Sequence, residues 1–259
     1  MVFEASATLS MKWDPARSST QQPLSHYDVI ILEEQLQADA SRCLYSALIS
    51  IADALRGVES GYYSWSAVKL YYSVFYSLRA ALALSNVCIY YQGTSPRWAQ
   101  IRVGSLPQKP TKTGGNNTHK VVLDLFAVKH EQSVILSQSI EELDPLKWMQ
   151  KMREKFNYKD AKFCEPSVPE CFHRIVRVGV RKSLSAYMAD RAYMYAFDRD
   201  HAIVAYPLEV LKWLRLQRPC SDWLDEPDLG QVRRFLSDRH GPLTAFDVVL
   251  RALPPLTTE

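Results

Sequence analysis

The sequence predicts an all-α protein, a helical bundle organised around one strongly apolar helix. Residues 64–86 (SWSAVKLYYSVFYSLRAALALSN) place apolar side chains at steps of three and four, contain only two charged residues and open on Ser64, a favourable N-cap. Runs with the same helical period recur along the chain, which has only 9 Gly in 259 residues. We find no strand pattern and no internal repeat in the sequence. We therefore expect a bundle in which this helix is buried on several sides.

The segments on either side of this helix have different compositions. Residues 1–25 are polar and include two prolines, which predicts a loosely held, flexible arm. Asp28 is the expected N-cap of a long helix that reaches about Arg56. Residues 87–118 are rich in Gly, Pro, Lys and Asn and predict a long basic loop, which is usually functional or disordered when it lies inside a compact domain.

The second half of the chain contains further helix signals. Thr118 is expected to cap one helix, and Asp144 followed by Pro145 to begin another. Pro169 is expected to start a long helix, and shorter helices are predicted at residues 207–216, 227–237 and 244–253. The predicted organisation is thus a flexible arm at 1–25, a bundle at 26–201 and a helical extension packed on it at 202–259.

Composition narrows the class of protein. No apolar run is long enough to span a membrane, and the N-terminal segment lacks the pattern of a secretory signal. The five cysteines are scattered and odd in number, which favours reduced thiols over a disulfide framework. We therefore expect a cytoplasmic protein without a membrane anchor.

The distribution of charge is more informative than the formal net charge of +3. The stretch between Glu59 and Asp124 contains no acidic residue, but it contains seven basic ones: Lys69, Arg79, Arg97, Arg102, Lys109, Lys112 and Lys120. A locally positive surface suits a phosphate-bearing partner such as RNA, and the five from Arg97 onward are the candidate contacts. The alternative is that acidic neighbours in the fold balance these charges.

His119, Arg153 and Asn157 are the first candidates for catalysis, in a constellation that also contains Lys120 and Tyr158. Histidine transfers protons near neutral pH, arginine holds a phosphate, and an amide orients a substrate. These groups suffice to cleave RNA through its own 2′-hydroxyl without a metal ion. The alternative is that Arg153 and Asn157, four apart on a helix, tie a polar loop to the bundle.

Arg234 and His240, in the segment RFLSDRH, are the second-choice catalytic pair. They approach each other on a helix only if its last turn tightens or ends at Gly241. The alternative is a solvated surface near a helix C-terminus, where basic side chains are favourable.

Arg174, Arg177 and Arg181 form another basic cluster, spaced three and four apart on one helical face. No acidic residue lies between Cys171 and Ala189, so partners within the same helix are absent from the sequence. These arginines either line a phosphate groove or pair with another helix.

Metal and cofactor sites are not expected. The segment DRDH (198–201), and Cys164 upstream of the segment CFH (171–173), have no second motif with the spacing of metal ligands. Dinucleotide, P-loop and hydrolase motifs are likewise missing from the sequence. The tyrosine pairs at 62–63, 71–72 and 90–91 can stack on bases, although aromatic residues at helical spacing more often belong to a core.

The order of segments WSAVKLYYSVFYSLRAALAL, THKVVLDLF and MREKFNY resembles the HEPN superfamily of bacterial toxin and phage-defence proteins. The resemblance covers about residues 28–200 and rests on the Tyr- and Phe-rich helix. It implies a helical bundle, and many members are metal-independent RNases or dimer-forming RNA-binding domains. The family's catalytic Arg and His stand four to six residues apart, and the formal match here is Arg234–His240, beyond the resembling region and with Phe235 in place of the usual polar residue.

Two functional hypotheses follow. The first is an RNA-binding protein or metal-independent RNase of a bacterial defence or toxin system, acting as a homodimer. The second is a non-catalytic interaction subunit of a larger complex. It rests on tryptophans in loops and short helices, where anchors for a protein partner tend to lie: Trp13, Trp98, Trp213 and Trp223.

Overall fold

The computed structural model describes residues 3–14, 16, 21–110, 117–159, 162–217 and 224–250, and these are mostly helical. The helices in these ranges are α1 (Glu4–Lys12), α2 (His26–Glu59), α3 (Tyr63–Leu84), α4 (Thr118–Lys129), α5 (Pro145–Glu154), α6 (His173–Val178), α7 (Val180–Ala189), α8 (Met194–Phe197), α9 (Ala202–Gln217), α10 (Glu226–Phe235) and α11 (Asp247–Leu250). The paired strands are β1 (Val87–Gln92) with β2 (Ser95–Gln100), and β3 (Ser237–Asp238) with β4 (Gly241–Pro242). The predicted all-α class is confirmed. None of these helices has the length and apolarity needed to cross a membrane.

The predicted central helix is present as α3, and most of its side chains are buried. Ser64 lies inside the first turn and does not cap the helix alone. A carboxylate from a distant part of the chain caps this turn, because Glu165 accepts hydrogen bonds from the Ser64 backbone N–H at 2.7 Å and from its hydroxyl at 2.8 Å. The apolar pattern therefore predicted the helix, while its cap depends on tertiary structure.

The start of α2 corrects the predicted N-cap. The backbone N–H of Ser25 donates to the Asp28 carboxylate at 2.8 Å, and the N–H of Asp28 donates to the Ser25 hydroxyl at 3.2 Å. This reciprocal pair is a capping box, with Ser25 as the cap and Asp28 in the first turn. The helix consequently begins three residues before the position that the sequence predicted.

The N-terminal segment forms α1, so the prediction of a loosely held arm is wrong for residues 4–12. Ala5 and Leu9, four apart, are fully buried. The carboxylate of Asp39 accepts hydrogen bonds at 3.1 Å from the first two backbone N–H groups of α1. This cap comes from a residue more than thirty positions away, which is why the local sequence gave no sign of it.

The predicted loop at 87–118 contains the hairpin β1–β2, so the loop prediction is wrong for residues 87–100. The strands join through Gly93 and Thr94, and Gly93 has a φ of +58°, a left-handed conformation that glycine adopts readily. Gln108, in the segment after β2, exchanges two backbone hydrogen bonds with Trp98 on β2, at 3.0 and 2.8 Å. The hairpin thus orders part of the basic segment that follows it.

The helix expected from Pro169 is interrupted. After one short 3₁₀ turn the chain forms α6, which ends at Val178, and α7 begins at Val180, directly after Gly179. Gly179 has a φ of +94°, which an α-helix cannot contain. The arginines on the two sides of this break therefore belong to different helices.

The later helices differ from their predicted bounds. α9 begins at Ala202, and Pro207 lies inside it instead of at its first turn. α10 opens on Asp225, whose side chain accepts a hydrogen bond from the backbone of Asp228 at 2.8 Å, and it ends at Phe235. The helix predicted for 244–253 is a 3₁₀ turn followed by α11 up to residue 250, and its last residues lie outside the described ranges.

The chain divides into two compact units, to each of which α2 and α3 contribute part of their length. The first unit comprises Met1–Leu44 and Leu78–Glu131, and the second Tyr45–Ser77 and Gln132–Glu259. The core of the first unit is formed by residues of α1, α2, the end of α3 and the hairpin. In the second unit α9 is buried along most of its length and contacts α7 and α8. The units therefore do not divide at residue 201, where the sequence suggested a boundary.

Candidate functional site

Arg153 and Asn157, the candidates with His119 for catalysis, lie where α5 changes its winding. Residues 155–159 continue α5 as a π-helix, in which side chains five apart face the same way. Arg153 accordingly meets Tyr158 and not Asn157: its Nη2 donates to the phenol oxygen at 3.3 Å. The interpretation based on α-helical spacing is thus corrected. Such π-turns occur frequently at functional sites.

The guanidinium of Arg153 is surrounded by aromatic rings, and together they form what we call the Arg153 cluster. It lies 5.4 Å from the ring centre of Tyr71, 5.8 Å from that of Tyr72 and 5.4 Å from that of Tyr158. Its Nε is buried and has no hydrogen-bond partner among the described residues, and the same residues provide no carboxylate to pair with it. Burial in this cluster also raises the pKa of Tyr71. A cation held in this way retains capacity for an anionic ligand.

His119 belongs to the first unit, in the first turn of α4. Its backbone N–H donates to the side chain of Asn117 at 2.9 Å, so Asn117 caps this helix and the predicted cap, Thr118, is its first residue. The side chain of His119 is half-buried. Because Arg153 and Asn157 belong to the second unit, their pairing with His119 stays a prediction.

The cations that the sequence assigned to nucleic-acid binding in the first unit gather around the β1–β2 hairpin. Arg97 lies on β2, Arg102 and Lys109 are exposed in the segment after it, and Lys120 is half-buried on α4. Lys112 lies outside the described residues. Lys129 joins them, with its ammonium 5.1 Å from the ring centre of Trp98 and 2.9 Å from the side-chain oxygen of Gln100.

Four cations define what we call the hairpin surface: Arg97, Arg102, Lys109 and Lys129. Arg97 donates to the amide oxygen of Gln92 at 3.1 Å and to the carbonyl of Pro96 at 3.1 Å, which are neutral acceptors. No ion pair within the described part of the first unit joins any of the four to a carboxylate. Lys69, by contrast, pairs with Asp53 at 3.2 Å, so the acid-free block contains both kinds of cation.

The three arginines expected on one helix face separate into two groups. Arg174 and Arg177, on α6, line a groove of about 600 Å³, which we call the α6 groove. Arg181, on α7, instead binds Asp238 through Nε at 3.0 Å and Nη2 at 2.5 Å, and it also donates to the carbonyls of Gly241 and Pro242. This pairing holds the pKa of the Asp238 carboxyl below its usual range.

Arg181 is therefore corrected from a nucleic-acid contact to the residue that fixes the β3–β4 hairpin. Its hydrogen-bonding capacity is largely taken up by Asp238 and the two carbonyls. The alternative predicted from the sequence was pairing with another helix, whereas Arg181 pairs with a hairpin.

The second-choice pair, Arg234 and His240, does not share a helix. α10 ends at Phe235, and His240 lies in the turn of the β3–β4 hairpin. His240 lines a cavity of about 730 Å³ together with Arg181 and Arg239, and its Nε2 accepts a hydrogen bond from Arg239 at 3.0 Å. Arg234 is exposed on α10 and does not line that cavity. The neighbour of His240 in the structure is therefore Arg239.

One acidic side chain of this cavity is of chemical interest. Glu59, at the end of α2, lines it, and burial followed by the nearby Asp238 charge raises the pKa of the Glu59 carboxyl. A carboxyl with a raised pKa beside a histidine can serve acid–base chemistry. Glu59 is not predictable from the sequence, because nothing in its local sequence distinguishes it from other surface acids.

The tryptophans proposed as partner anchors are mostly buried. Trp13, Trp98 and Trp213 are 2%, 7% and 8% exposed, and Trp223 lies outside the described residues. The exposed tryptophan of the described chain is Trp65, at 52%, and the Phe163 ring packs edge-on against it at 6.2 Å. The anchor prediction is thus wrong for three of its four residues.

Metal and thiol chemistry have little support in the described residues. Within the described ranges, no three His, Cys, Asp or Glu side chains form a group that could hold a metal ion. The described cysteines are free thiols, and burial raises the pKa of Cys43 and of Cys171 to about 12, which keeps both protonated at neutral pH.

The described residues thus offer three candidate sites: the hairpin surface in the first unit, and the Arg153 cluster and the α6 groove in the second. Each presents cations that the described carboxylates leave wholly or partly uncompensated. Comparison with protein-family models, with curated proteins and with solved structures returned no match.

Proposed function

We propose that this protein binds RNA through the hairpin surface. The observation that carries the proposal is that Arg97, Arg102, Lys109 and Lys129 have no carboxylate partner among the described residues of their unit. Cations that the protein itself does not neutralise attract a polyanion and release its counterions on binding. The first functional hypothesis from the sequence rested on the acid-free block between Glu59 and Asp124, which contains three of these four cations.

The resemblance to the HEPN superfamily extends the proposal. It supports an RNA-binding protein or metal-independent RNase that is cytoplasmic, homodimeric and part of a bacterial defence or toxin system. The Arg153 cluster is the better candidate for the reacting centre, since its cation has neither a carboxylate nor a hydrogen-bond partner for Nε. Arg234 and His240 are weaker candidates because α10 ends between them.

The test is binding of a fluorescent single-stranded RNA and of tRNA to the purified full-length chain in EDTA, followed by fluorescence anisotropy. We expect binding that weakens as salt is added. Absence of binding at low salt would refute the proposal. Electrophoresis of the same mixtures reports cleavage, and Arg153→Ala and His119→Ala, checked for folding by circular dichroism, identify the residues that cleavage requires.

A matched control is Lys12→Ala. Lys12 lies in the same unit, but its ammonium pairs with Asp28 at 3.0 Å and is therefore compensated. We expect this variant to bind RNA like the wild type, whereas Arg102→Ala with Lys109→Ala binds it more weakly. Equal loss in both variants would show that only overall charge matters.

A second candidate function, an interaction subunit, has its own observation. Tyr62, Trp65, Tyr158 and Phe163 are all more than half exposed in the second unit, and the rings of Trp65 and Phe163 are in contact. Exposed aromatic side chains are typical of protein interfaces. The test is affinity purification of the protein with its partner. A stoichiometric complex that is lost in the double variant Trp65→Ala, Phe163→Ala supports this function. The matched control is Met194→Ala, an exposed apolar residue away from these aromatics in sequence.

A further inference from the structure

The α6 groove is lined by charged side chains from α6, from the turn before it and from the segment between α8 and α9. α6 has six residues, of which only Ile175 is buried, so most of its side chains remain on the surface. The groove of about 600 Å³ is lined by Val168, Glu170, His173, Arg174, Val176, Arg177, Arg199 and Asp200. A volume of this size is within the usual range for a small-molecule site.

The two carboxylates of the groove are engaged mainly by one arginine. Arg199 forms ion pairs with Glu170 and with Asp200, the latter at 3.4 Å. Arg174 contributes a longer contact, with its Nε 3.7 Å from Asp200. Arg177 is exposed and makes no hydrogen bond or ion pair within the described part of the chain. Positive charge is therefore in excess on the α6 side of the groove.

The positions of these groups suit a phosphate. Arg174 and Arg177 are three residues apart on α6, which places their Cβ atoms about 5–6 Å apart. Two guanidinium groups at this separation can share the oxygens of one phosphate. The adjacent His173 donates from Nε2 to the Val168 carbonyl at 2.9 Å, and this bond fixes the ring at the edge of the groove.

We propose that the α6 groove binds a phosphomonoester, with Arg174 and Arg177 on the phosphate and Val168 and Val176 against the carbon part of the ligand. A phosphate dianion competes well with Asp200 for Arg174, because Asp200 keeps its ion pair with Arg199. The apolar side chains give a ligand with a base or other carbon skeleton an advantage over inorganic phosphate. This site lies in the second unit and does not depend on the hairpin surface.

Two sources supply this chemistry: a free nucleotide and the terminal phosphate of an RNA strand. The test is isothermal titration of the full-length chain with 5′-AMP, adenosine and inorganic phosphate, and with one short RNA carrying either a 5′-phosphate or a 5′-hydroxyl. We expect AMP to bind, adenosine not to bind, and phosphate to bind more weakly than AMP. If the RNA with a 5′-phosphate binds more tightly than both the RNA with a 5′-hydroxyl and AMP, the RNA end is the ligand.

The decisive variant is Arg177→Ala, an exposed residue whose loss leaves no partner unsatisfied. We expect affinity for AMP to fall roughly ten- to hundred-fold, the usual effect of removing a hydrogen bond to a charged group. Arg177→Lys keeps the charge without the planar fork of the guanidinium, and its affinity for AMP is expected to lie between those of the wild type and Arg177→Ala. The control is Lys182→Ala, an exposed cation on α7 that lines the other cavity, which should bind AMP like the wild type.

Adenosine binding as tightly as AMP, or unchanged affinity in Arg177→Ala, would overturn the proposal. The outcome is separable from that of RNA binding at the hairpin surface. Arg102→Ala with Lys109→Ala should keep its affinity for AMP while losing affinity for unphosphorylated RNA, and Arg177→Ala should show the reverse. Each proposal can therefore fail while the other survives.

Discussion

The sharpest prediction concerns the salt dependence of RNA binding after two cations of the hairpin surface are removed. The perturbation is Arg102→Ala combined with Lys109→Ala. Both side chains are exposed, and neither makes a side-chain hydrogen bond or ion pair within the described ranges. Substitutions at such surface positions usually change the free energy of unfolding by less than about 0.5 kcal/mol, so the variant should fold normally.

The magnitude follows from counting cations. If Arg97, Arg102, Lys109 and Lys129 each neutralise one phosphate of a single strand, the slope of log affinity against log salt is about −2.8, at about −0.7 per contact. The double variant keeps two of these contacts, for a slope of about −1.4. Raising the salt from about 50 to about 200 mM then weakens wild-type binding roughly fifty-fold and variant binding roughly seven-fold.

The assay is fluorescence anisotropy with a labelled, unstructured RNA over that salt range. Lys12→Ala serves as the control and should keep the wild-type slope, since its cation is already paired with Asp28. Circular dichroism checks that all three proteins are folded alike. A double variant with the wild-type slope would refute the assignment of these side chains to phosphate contacts, and a wild-type slope near zero would refute electrostatic binding altogether.

Three further predictions test the structure around these surfaces. Asp39→Ala removes the acceptor of the first two N–H groups of α1 and should lower the free energy of unfolding by about 2 kcal/mol, measured by urea titration; an unchanged midpoint would contradict the capping role. Because Arg181 lowers the pKa of Asp238 in the folded state, the stability from this pair should be complete above about pH 4, the ordinary range of an unfolded aspartate, and be lost as pH falls through the folded pKa. Urea titrations across acidic pH should show this loss in the wild type and not in Asp238→Asn. Arg153→Met keeps the apolar stem and removes an uncompensated cation, so stability should stay within about 1 kcal/mol while RNA binding or cleavage declines; a loss of about 3 kcal/mol would indicate a structural role.

Local sequence was sufficient wherever a helix carries its own signals. The apolar period of α3 predicted both its existence and its burial. Asp144 followed by Pro145 predicted the start of α5, and the Asp144 side chain does accept hydrogen bonds from the first turn, at 3.0 and 3.1 Å. In these cases the stabilising groups are close together in the chain, so the local sequence is enough to predict the helix.

Sequence was insufficient where the partner is distant. α1 is too short to be stable alone, and its cap is Asp39. The hairpin β1–β2 was not predicted because the first four residues of β1 are all buried. The sequence of β1 therefore lacks the alternation of apolar and polar residues expected of a half-exposed strand. The π-turn after α5 likewise changes the partner of Arg153 from Asn157 to Tyr158, because the wider winding brings together side chains five residues apart instead of four.

The basic residues illustrate the same limit and its consequence for function. Arg177 and Arg181 lie four apart in a segment free of acids, so sequence alone treats them as equivalent. In the structure Arg181 is paired with Asp238, fifty-seven residues away, whereas Arg177, on the other side of the break at Gly179, has no ion pair within the described residues. Whether a carboxylate lies within reach of a cation is therefore a property of tertiary structure. The cations that we propose to bind phosphate, those of the hairpin surface and Arg177, have no ion pair within the described residues, while Lys69 and Arg181 already have their counterions.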